Sequence, residues 1–295
     1  MDSHDPYIEE LVDGVVDLIP LPKAYIRIRQ LVHDPDSSAH DVANVIQNDP
    51  AMTGRVLRIA NSAYMALVTK VDTIPRAVQV LGLNQVHDLA LAMSAVTALQ
   101  DIPSPVFDIH DFWRRSIYCA VVSKILSERL RRREGDRAFV SGLLHDIGHL
   151  VLAYRETETL KDALAQARAG GHSLVDEERT RFGFDYARVT AQLLKRWDLP
   201  DSILDPVAYH TAPREYTGNM YIEVAILHVA SVIARAAMWR SEAAEPVPEL
   251  DAMCLQVVHL REDDVEEIMA QADSQVVEAI QLLLPEQRAK AAASA

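Results

Sequence analysis

Hydrophobic residues recur at three- and four-residue spacing along most of the chain, which is the spacing of one buried face of an α-helix. The clearest stripe lies between residues 221 and 239 and consists of Ile222, Ala225, Ile226, Val229, Val232, Ile233 and Ala236. A second long amphipathic helix is predicted over residues 261–284. The pattern therefore predicts an all-α protein.

Proline-containing segments divide this helical pattern into three parts. Two prolines within residues 101–105 cannot continue a helix, so residues 1–100 are predicted to form an N-terminal helical bundle. Residues 106–240 are predicted to form a second helical lobe. Residues 241–295 hold a polar linker and the last amphipathic helix, which we expect to pack on this two-lobed module or on a second copy of the chain.

Composition and charge narrow the class of protein. Of the 295 residues, 49% are hydrophobic and only 6% are aromatic, which favours a large helical core with almost no sheet. The net charge of −14 would repel a nucleic-acid backbone, so we expect no nucleic-acid partner. Polar residues interrupt the longest apolar windows, and the acidic N-terminus lacks the pattern of a signal peptide, so we expect no membrane partner. The two cysteines lie in apolar surroundings that suit a reducing compartment, and the expected location is cytoplasmic.

Residues 141–150 contain the candidate chemistry of the chain. His145 and Asp146 lie side by side at the end of an apolar helix, just before Gly148, which is predicted to end that helix in a left-handed turn. Neutral imidazole and carboxylate are common metal ligands. His-Asp pairs also occur elsewhere in the sequence, but only this pair ends an apolar helix at a glycine, so its context singles it out.

Six separated stretches carry a resemblance to a known family. They are DPAMTGRVL at 49–57, NSA at 61–63, AVQVLG at 77–82, FWRRS at 112–116, GLLHDIG at 142–148 and WDLP at 197–200. In order and spacing they resemble the HDOD family, the regulatory relatives of the HD phosphohydrolases and the HD-GYP phosphodiesterases. The resemblance implies an all-helical fold in two lobes, of which the second derives from the HD hydrolase core.

The resemblance also implies where the metal ligands of an HD hydrolase would lie, and several of these positions carry other residues. Arg115 stands where the hydrolase pattern has a histidine. Tyr186 and Tyr209 stand where family members often have histidines. Ser231 aligns with the closing aspartate of the pattern, so a hydroxyl replaces the last anionic ligand.

The ligands that remain are His145, Asp146 and His210, with His149 as a further candidate. The cation of Arg115 would repel a divalent metal and can pair with Asp146 instead. We therefore predict a degenerate HD site, retained as a salt-bridged structural remnant, with no catalytic residue, no bound metal and no other cofactor.

These inferences favour a non-catalytic signal-transduction module that acts as a protein-interaction platform in a bacterial regulatory pathway. The resemblance implies partners among the signalling proteins of two-component or cyclic-dinucleotide pathways. Two alternatives stay open: an HD-type metal-dependent phosphohydrolase in which Arg115 acts on phosphate, and a sensor that binds a nucleotide or cyclic dinucleotide without hydrolysis. Formation of a homodimer is also left open.

A cluster of arginines departs from the acidic character of the chain. The candidate docking patch for an acidic partner or a phosphate-bearing ligand consists of Arg129, Arg131, Arg132, Arg133 and Arg137. The alternative, which the pattern favours, is a solvated helix end whose cations complement the helix dipole.

Overall fold

The chain folds almost entirely into α-helices. A computed structural model describes residues 5–16, 21–61, 70–100, 102–132, 135–171, 173–238, 246–261 and 263–284. The helices are α1 (Pro6–Val16), α2 (Lys23–His33), α3 (Ala39–Gln47), α4 (Pro50–Ala60), α5 (Ile74–Leu81), α6 (Leu83–Leu99), α7 (Ile109–Arg129), α8 (Gly135–Leu144), α9 (Gly148–Arg155), α10 (Thr157–Gly170), α11 (Leu174–Phe182), α12 (Tyr186–Arg196), α13 (Asp201–Tyr209), α14 (Tyr221–Met238), α15 (Ala252–Val257) and α16 (Asp264–Leu283), with a 3₁₀ turn at Pro213–Glu215. No strand occurs in the described ranges, and the all-α prediction is confirmed.

Helix starts in the N-terminal part lie where capping residues predict them. Ser38 and Asp41 form a reciprocal capping box at the start of α3, in which the Ser38 N–H donates to Oδ2 of Asp41 at 2.8 Å. Oδ1 of Asp49 accepts the N–H of Met52 at 2.9 Å at the start of α4. Thr73 caps α5 in the same way. Each cap satisfies an N–H group that the first helical turn leaves without a partner.

The chain divides into two units. The first unit combines α1 with residues 99–272, and the second combines residues 21–98 with the chain from residue 273 onward. This division differs from the predicted boundaries at 1–100, 106–240 and 241–295. The position of α1 accounts for one difference, because α1 packs on α9 and α12 of the first unit, where Gln192 donates to Glu9 at 3.3 Å.

In the second unit, α3 packs against α2, α4 and α5. The buried core residues of these helices include Tyr25, Ile28, Val42, Ile46, Val56 and Ile74. His87 is a buried polar residue of this unit: its Nε2 lies 3.2 Å from the hydroxyl of Tyr25, and its Nδ1 lies 3.0 Å from Oδ1 of Asp88. Both ring nitrogens therefore have partners, as buried polar groups require.

In the first unit, α7, α8 and α14 pack closely around one another. Gly142 of α8 faces the backbone of α7, and a Cβ atom at this position would lie 2.6 Å from Cα of Ala120. That distance is far below van der Waals contact, so only glycine lets the two helices approach this closely.

Helix α14 is apolar because it forms part of a core. Among the described helices it alone has the length and composition of a membrane span, yet 67% of that 18-residue window is buried inside the structure. Three polar residues of this helix, His228, Ser231 and Arg235, are themselves buried.

Gly148 begins α9, and the predicted left-handed turn at this glycine is wrong. The glycines with positive φ among the described residues are Gly82, Gly171 and Gly183. A Cβ atom on Gly148 would lie 2.1 Å from the carbonyl oxygen of Tyr186, so the glycine is needed for the close approach of α9 to α12.

We predict that Gly142→Ala destabilises the protein by roughly 1–3 kcal/mol, because the added methyl group overpacks the α7–α8 contact. Chemical denaturation measures the change. Gly54→Ala is the matched control: nothing lies within 4 Å of a Cβ atom at this helical position, so alanine should be neutral or stabilising by about 0.5–1 kcal/mol. Equal changes in the free energy of unfolding for the two substitutions would contradict the close approach of α7 and α8 at Gly142.

Candidate functional site

The candidate site is built around Asp146, a fully buried carboxylate in the turn between α8 and α9. Arg115 of α7 donates to Oδ2 of Asp146 from Nε at 3.0 Å and from Nη2 at 2.6 Å. Burial alone would raise the pKa of Asp146, but the Arg115 guanidinium and then the His149 imidazole hold this pKa well below its usual range. Asp146 is therefore a buried, ionised group that is paired with the half-buried guanidinium of Arg115.

Two further cationic groups face this carboxylate. Nη2 of Arg235, on α14, lies 3.7 Å from Oδ1 of Asp146. Nδ1 of His149 donates to the same oxygen at 2.5 Å. Nε2 of His149 lies 2.9 Å from Oε1 of Glu178, close enough for an ion pair although the angles are not those of a hydrogen bond. Three cationic groups thus surround two buried carboxylates.

His149 is held as a cation by these neighbours. Burial by itself would lower the pKa of His149, but the carboxylates of Glu178 and Asp146 outweigh it and raise the pKa to about 9. The ring of Tyr186 stacks on the imidazole with the ring centroids 3.9 Å apart. The ring of Phe107 also lies near the imidazole, with the centroids 5.4 Å apart, so the imidazolium is enclosed by two carboxylates and two aromatic rings.

The other two histidines of the site are neutral. Nδ1 of His145 donates to the carbonyl oxygen of Gly142 at 2.6 Å, and burial lowers the pKa of His145 to about 4. Nδ1 of His210 donates to the carbonyl of Val207 at 2.8 Å, and burial, together with His145, lowers the pKa of His210 well below its ordinary value. The two rings meet edge to face with centroids 5.3 Å apart.

The tautomer of His210 determines the role of Tyr186. Because Nδ1 of His210 carries the proton, Nε2 is an acceptor, and the hydroxyl of Tyr186 donates to it at 2.8 Å. The same hydroxyl oxygen accepts from Nη2 of Arg235 at 3.3 Å. The lone pair that His210 would offer a metal is therefore occupied by a tyrosine.

The start of α12 fixes Tyr186 in this position. Asp185 caps the helix, with Oδ1 accepting the N–H of Ala187 at 3.0 Å. Oδ2 of Asp185 accepts from Nε and Nη2 of Arg179 at 2.9 and 2.6 Å. The N–H of Tyr186 donates to Oε2 of Glu178 at 3.0 Å, which ties α11 and α12 together at the site.

The residues singled out from the sequence separate into two groups. Arg115, His145, Asp146, Tyr186 and His210 lie together in this cluster. Tyr209 lies outside it, with its ring 5.1 Å from that of Tyr216 and 4.5 Å from the guanidinium of Arg188. The hydroxyl of Ser231 donates to the carbonyl of His228 at 2.8 Å.

Two residues of the cluster were missed from the sequence. Arg235 lies one turn after Ser231 on α14 and is the residue of that helix that reaches Asp146. An arginine in an otherwise apolar helix could have indicated a buried ion pair, since a buried charge needs a partner. Glu178 lies in a polar, charged helix between the half-buried Glu177 and Arg179, and residue type alone does not distinguish it from Glu177.

The arginines of the candidate docking patch have different environments. Arg129 lies 3.4 Å from Asp264 and 3.9 Å from Glu267 of α16. Arg132 pairs with Glu223, while Arg131 is exposed and Arg137 is half-buried. Arg133 lies outside the described residues. The docking role of this patch stays a prediction.

The side chains of this cluster do not fit a divalent metal. Arg115 and His149 occupy both oxygens of Asp146, and Tyr186 occupies the free nitrogen of His210. Among the residues that the structure describes, no group of three or more His, Cys, Asp or Glu side chains is arranged to hold a metal ion. A divalent cation would also enter a cluster that already holds more cations than carboxylates.

The family follows from comparison with known sequences. The profile of the HDOD domain matches residues 18–213, which is more than half of the chain. The chain belongs to the HDOD domain family. Asp146, Arg115, His149 and Tyr186 lie within the matched residues, and Arg235 lies beyond them.

Solved structures share the HDOD fold over nearly the whole chain. An HDOD domain protein with unknown function from Geobacter sulfurreducens is 24% identical, with a TM-score of 0.74, and the match covers 95% of this chain and 98% of that one. A Shewanella amazonensis SB2B protein provisionally assigned as a phosphohydrolase is 24% identical, with a TM-score of 0.71 and coverage of 95% and 99%. A Marinobacter aquaeolei VT8 protein provisionally assigned to signal transduction is 24% identical, with a TM-score of 0.67 and coverage of 92% and 60%.

One relative found by sequence is longer than this chain. A protein of Treponema pallidum (strain Nichols), described as uncharacterized, is 25% identical over 217 residues. The match covers 70% of this chain and 40% of that protein, so the chain spans well under half the length of this relative.

We predict that Arg115→Met destabilises the protein by roughly 3–5 kcal/mol, because it leaves Asp146 as a buried charge without its main partner. Denaturant titration measures the loss. Adding Asp146→Asn to this variant should restore part of the stability. Arg196→Met, which removes an exposed ion pair with Asp13 at 2.9 Å, is the control and should cost less than about 1 kcal/mol.

The charge of His149 predicts a pH dependence of stability. Its pKa of about 9 in the folded protein lies above the unfolded value of about 6.5, so its contribution is complete below pH 6.5 and is lost as the pH rises through 9. We expect this group alone to lower the free energy of unfolding by on the order of 3 kcal/mol across that window. Carbon-13 NMR of labelled histidine should show His149 charged at neutral pH and His145 neutral, and a neutral His149 at pH 7 would be inconsistent with the arrangement.

Proposed function

We propose that this HDOD protein is a non-catalytic signal-transduction module that acts as a protein-interaction platform in a bacterial regulatory pathway. The observation that carries the proposal is the ion pair between the half-buried Arg115 and the fully buried Asp146. In a metal-dependent hydrolase the carboxylate must be open to the ion, and here a guanidinium is bonded to it through two N–H groups.

The protonation states of His149 and His210 support the same proposal. Hydrolysis of a phosphate ester by a metal ion needs imidazole nitrogens with free lone pairs and a water held on the metal. Nε2 of His210 accepts from Tyr186, and His149 is protonated, so neither offers a ligand nitrogen. We infer that the His-Asp pair now serves to join helices and has no role in chemistry.

The partners and the location remain part of the proposal. Membership of the HDOD family favours signalling proteins of two-component or cyclic-dinucleotide pathways as partners, in the cytoplasm. Self-association is a further candidate. The Marinobacter aquaeolei structure, which shares the fold, carries a provisional assignment to signal transduction.

Metal content and turnover test the proposal directly. We expect elemental analysis of the purified protein to find no stoichiometric zinc, iron, manganese or magnesium. We also expect no turnover of phosphomonoesters or cyclic dinucleotides when these metals are added. A stoichiometric ion that is lost on Asp146→Asn, or measurable hydrolysis, would support the phosphohydrolase alternative and contradict the proposal.

Arg115→His provides the matched comparison, because it returns the imidazole of the hydrolase pattern and releases one oxygen of Asp146. We expect this variant to bind a divalent metal more tightly than the unmodified protein does, with circular dichroism confirming that it is folded. A nucleotide sensor, by contrast, would show a ligand-dependent rise in Tm that Arg115→Ala abolishes.

A further inference from the structure

Helix α1 belongs to the first unit, although the chain enters the second unit directly after it. The rest of the first unit, residues 99–272, is one continuous stretch of chain, and residues 21–98 separate it from α1 along the sequence. Packing against α9 and α12, and not chain continuity, therefore holds α1 in the first unit.

Helix α1 turns one apolar face toward these two helices. Its buried side chains recur at the i, i+3, i+4, i+7 spacing of a single helical face. They are Ile8, Leu11, Val12 and Val15, each at most 8% exposed. Because α9 and α12 also pack on each other, α1 lies in a groove between them. This α9–α12 groove accepts a three-turn amphipathic helix.

The rim of the α9–α12 groove is cationic, and the helix that lies in it is acidic. Nη2 of Arg196 donates to Oδ2 of Asp13 at 2.9 Å. The guanidinium of Arg155, at the end of α9, lies over Gly14, where a Cβ atom would be 2.8 Å from Cζ of the arginine. Helix α1 itself contains three carboxylates and no lysine or arginine. The groove and its helix are therefore complementary in charge as well as in shape.

The free energy that holds α1 in the α9–α12 groove is a small difference between opposing effects. A helix of 11 residues is unstable by itself in water, so α1 is ordered by its docking. Burial of its apolar face favours docking, whereas the ordering of its backbone and side chains opposes docking. The pair of Arg196 and Asp13 is exposed and adds little.

We propose that α1 is a displaceable cover of the α9–α12 groove, and that an amphipathic helix of a partner protein takes its place. The partner helix carries apolar residues at the spacing of α1 and carboxylates that face Arg155 and Arg196. This inference rests on the proposed function, because it specifies where the interaction platform binds and which chemistry it recognises. The groove is formed by two helices that also contribute to the buried cluster, α9 through His149 and α12 through Tyr186.

Native-state hydrogen exchange on the unmodified full chain tests whether α1 leaves the groove. We expect the amides of α1, corrected for their intrinsic rates, to exchange at least about tenfold faster than the most protected amides of α9 and α12, through a local opening. Equal protection of the three helices would show that α1 is released only when the whole unit unfolds, and it would overturn the proposal.

A fluorescently labelled synthetic peptide of residues 5–16 tests which chemistry the groove binds. In the full chain, Val12→Asp places a charge at a fully buried position, so this variant cannot dock its own α1. We expect the variant to stay folded by circular dichroism and to bind the peptide saturably in fluorescence anisotropy. The unmodified chain, whose groove is occupied, should bind the peptide at least about tenfold more weakly. The same peptide carrying Val12→Asp is the matched control and should also bind at least about tenfold more weakly.

Several results would contradict the displaceable cover. Loss of folding in the Val12→Asp chain would make α1 part of the core. Absence of saturable binding to this variant, or equal binding of the two peptides, would show that the groove does not select such a helix. A dimer of the unmodified chain in light scattering that Val12→Asp dissociates would assign the groove to a second copy instead. All of these outcomes are independent of metal content and turnover, so they are distinguishable from a failure of the proposed function.

Discussion

The ion pair between Arg115 and Asp146 is the interaction on which the rest of the site depends. A carboxylate that is fully removed from water must be ionised and paired, or protonated, because an isolated buried charge is very unfavourable. The two N–H donors of Arg115 at 3.0 and 2.6 Å settle this choice in favour of an ionised carboxylate. Once Asp146 is ionised, His149 is stabilised as a cation, and Glu178 becomes the second carboxylate that the cation needs.

The cluster also explains how the helices of the first unit are held together. It receives Arg115 from α7, His149 from α9, Glu178 from α11, Tyr186 from α12 and Arg235 from α14. Each of these side chains is fixed by at least one partner on another helix or in the turn between α8 and α9. The salt-bridge network therefore joins these helices through side chains alone, and it occupies both oxygens of Asp146.

The helices and part of the site could be predicted from the sequence. The helices were predictable from local signals, and the site residues from the family pattern. Caps such as Ser38 and Asp49 are local signals, so the starts of α3 and α4 were predictable. Arg115 was expected beside Asp146 because the family pattern marks both positions. Arg235 was not predicted, because the closing aspartate of the family pattern was aligned with Ser231, one helical turn earlier, on the basis of the small residues around it. Gly148 was misread because a glycine needed for helix contact and a glycine that ends a helix look the same in a sequence.

A crystal structure determined from crystals grown with manganese, with anomalous data collected near the manganese edge, tests the central claim most directly. The account predicts no anomalous peak at Asp146, with the Arg115 guanidinium within hydrogen-bond distance of Oδ2 and Tyr186 bonded to His210. An anomalous peak between His145 and Asp146, with Arg115 turned away, would contradict it.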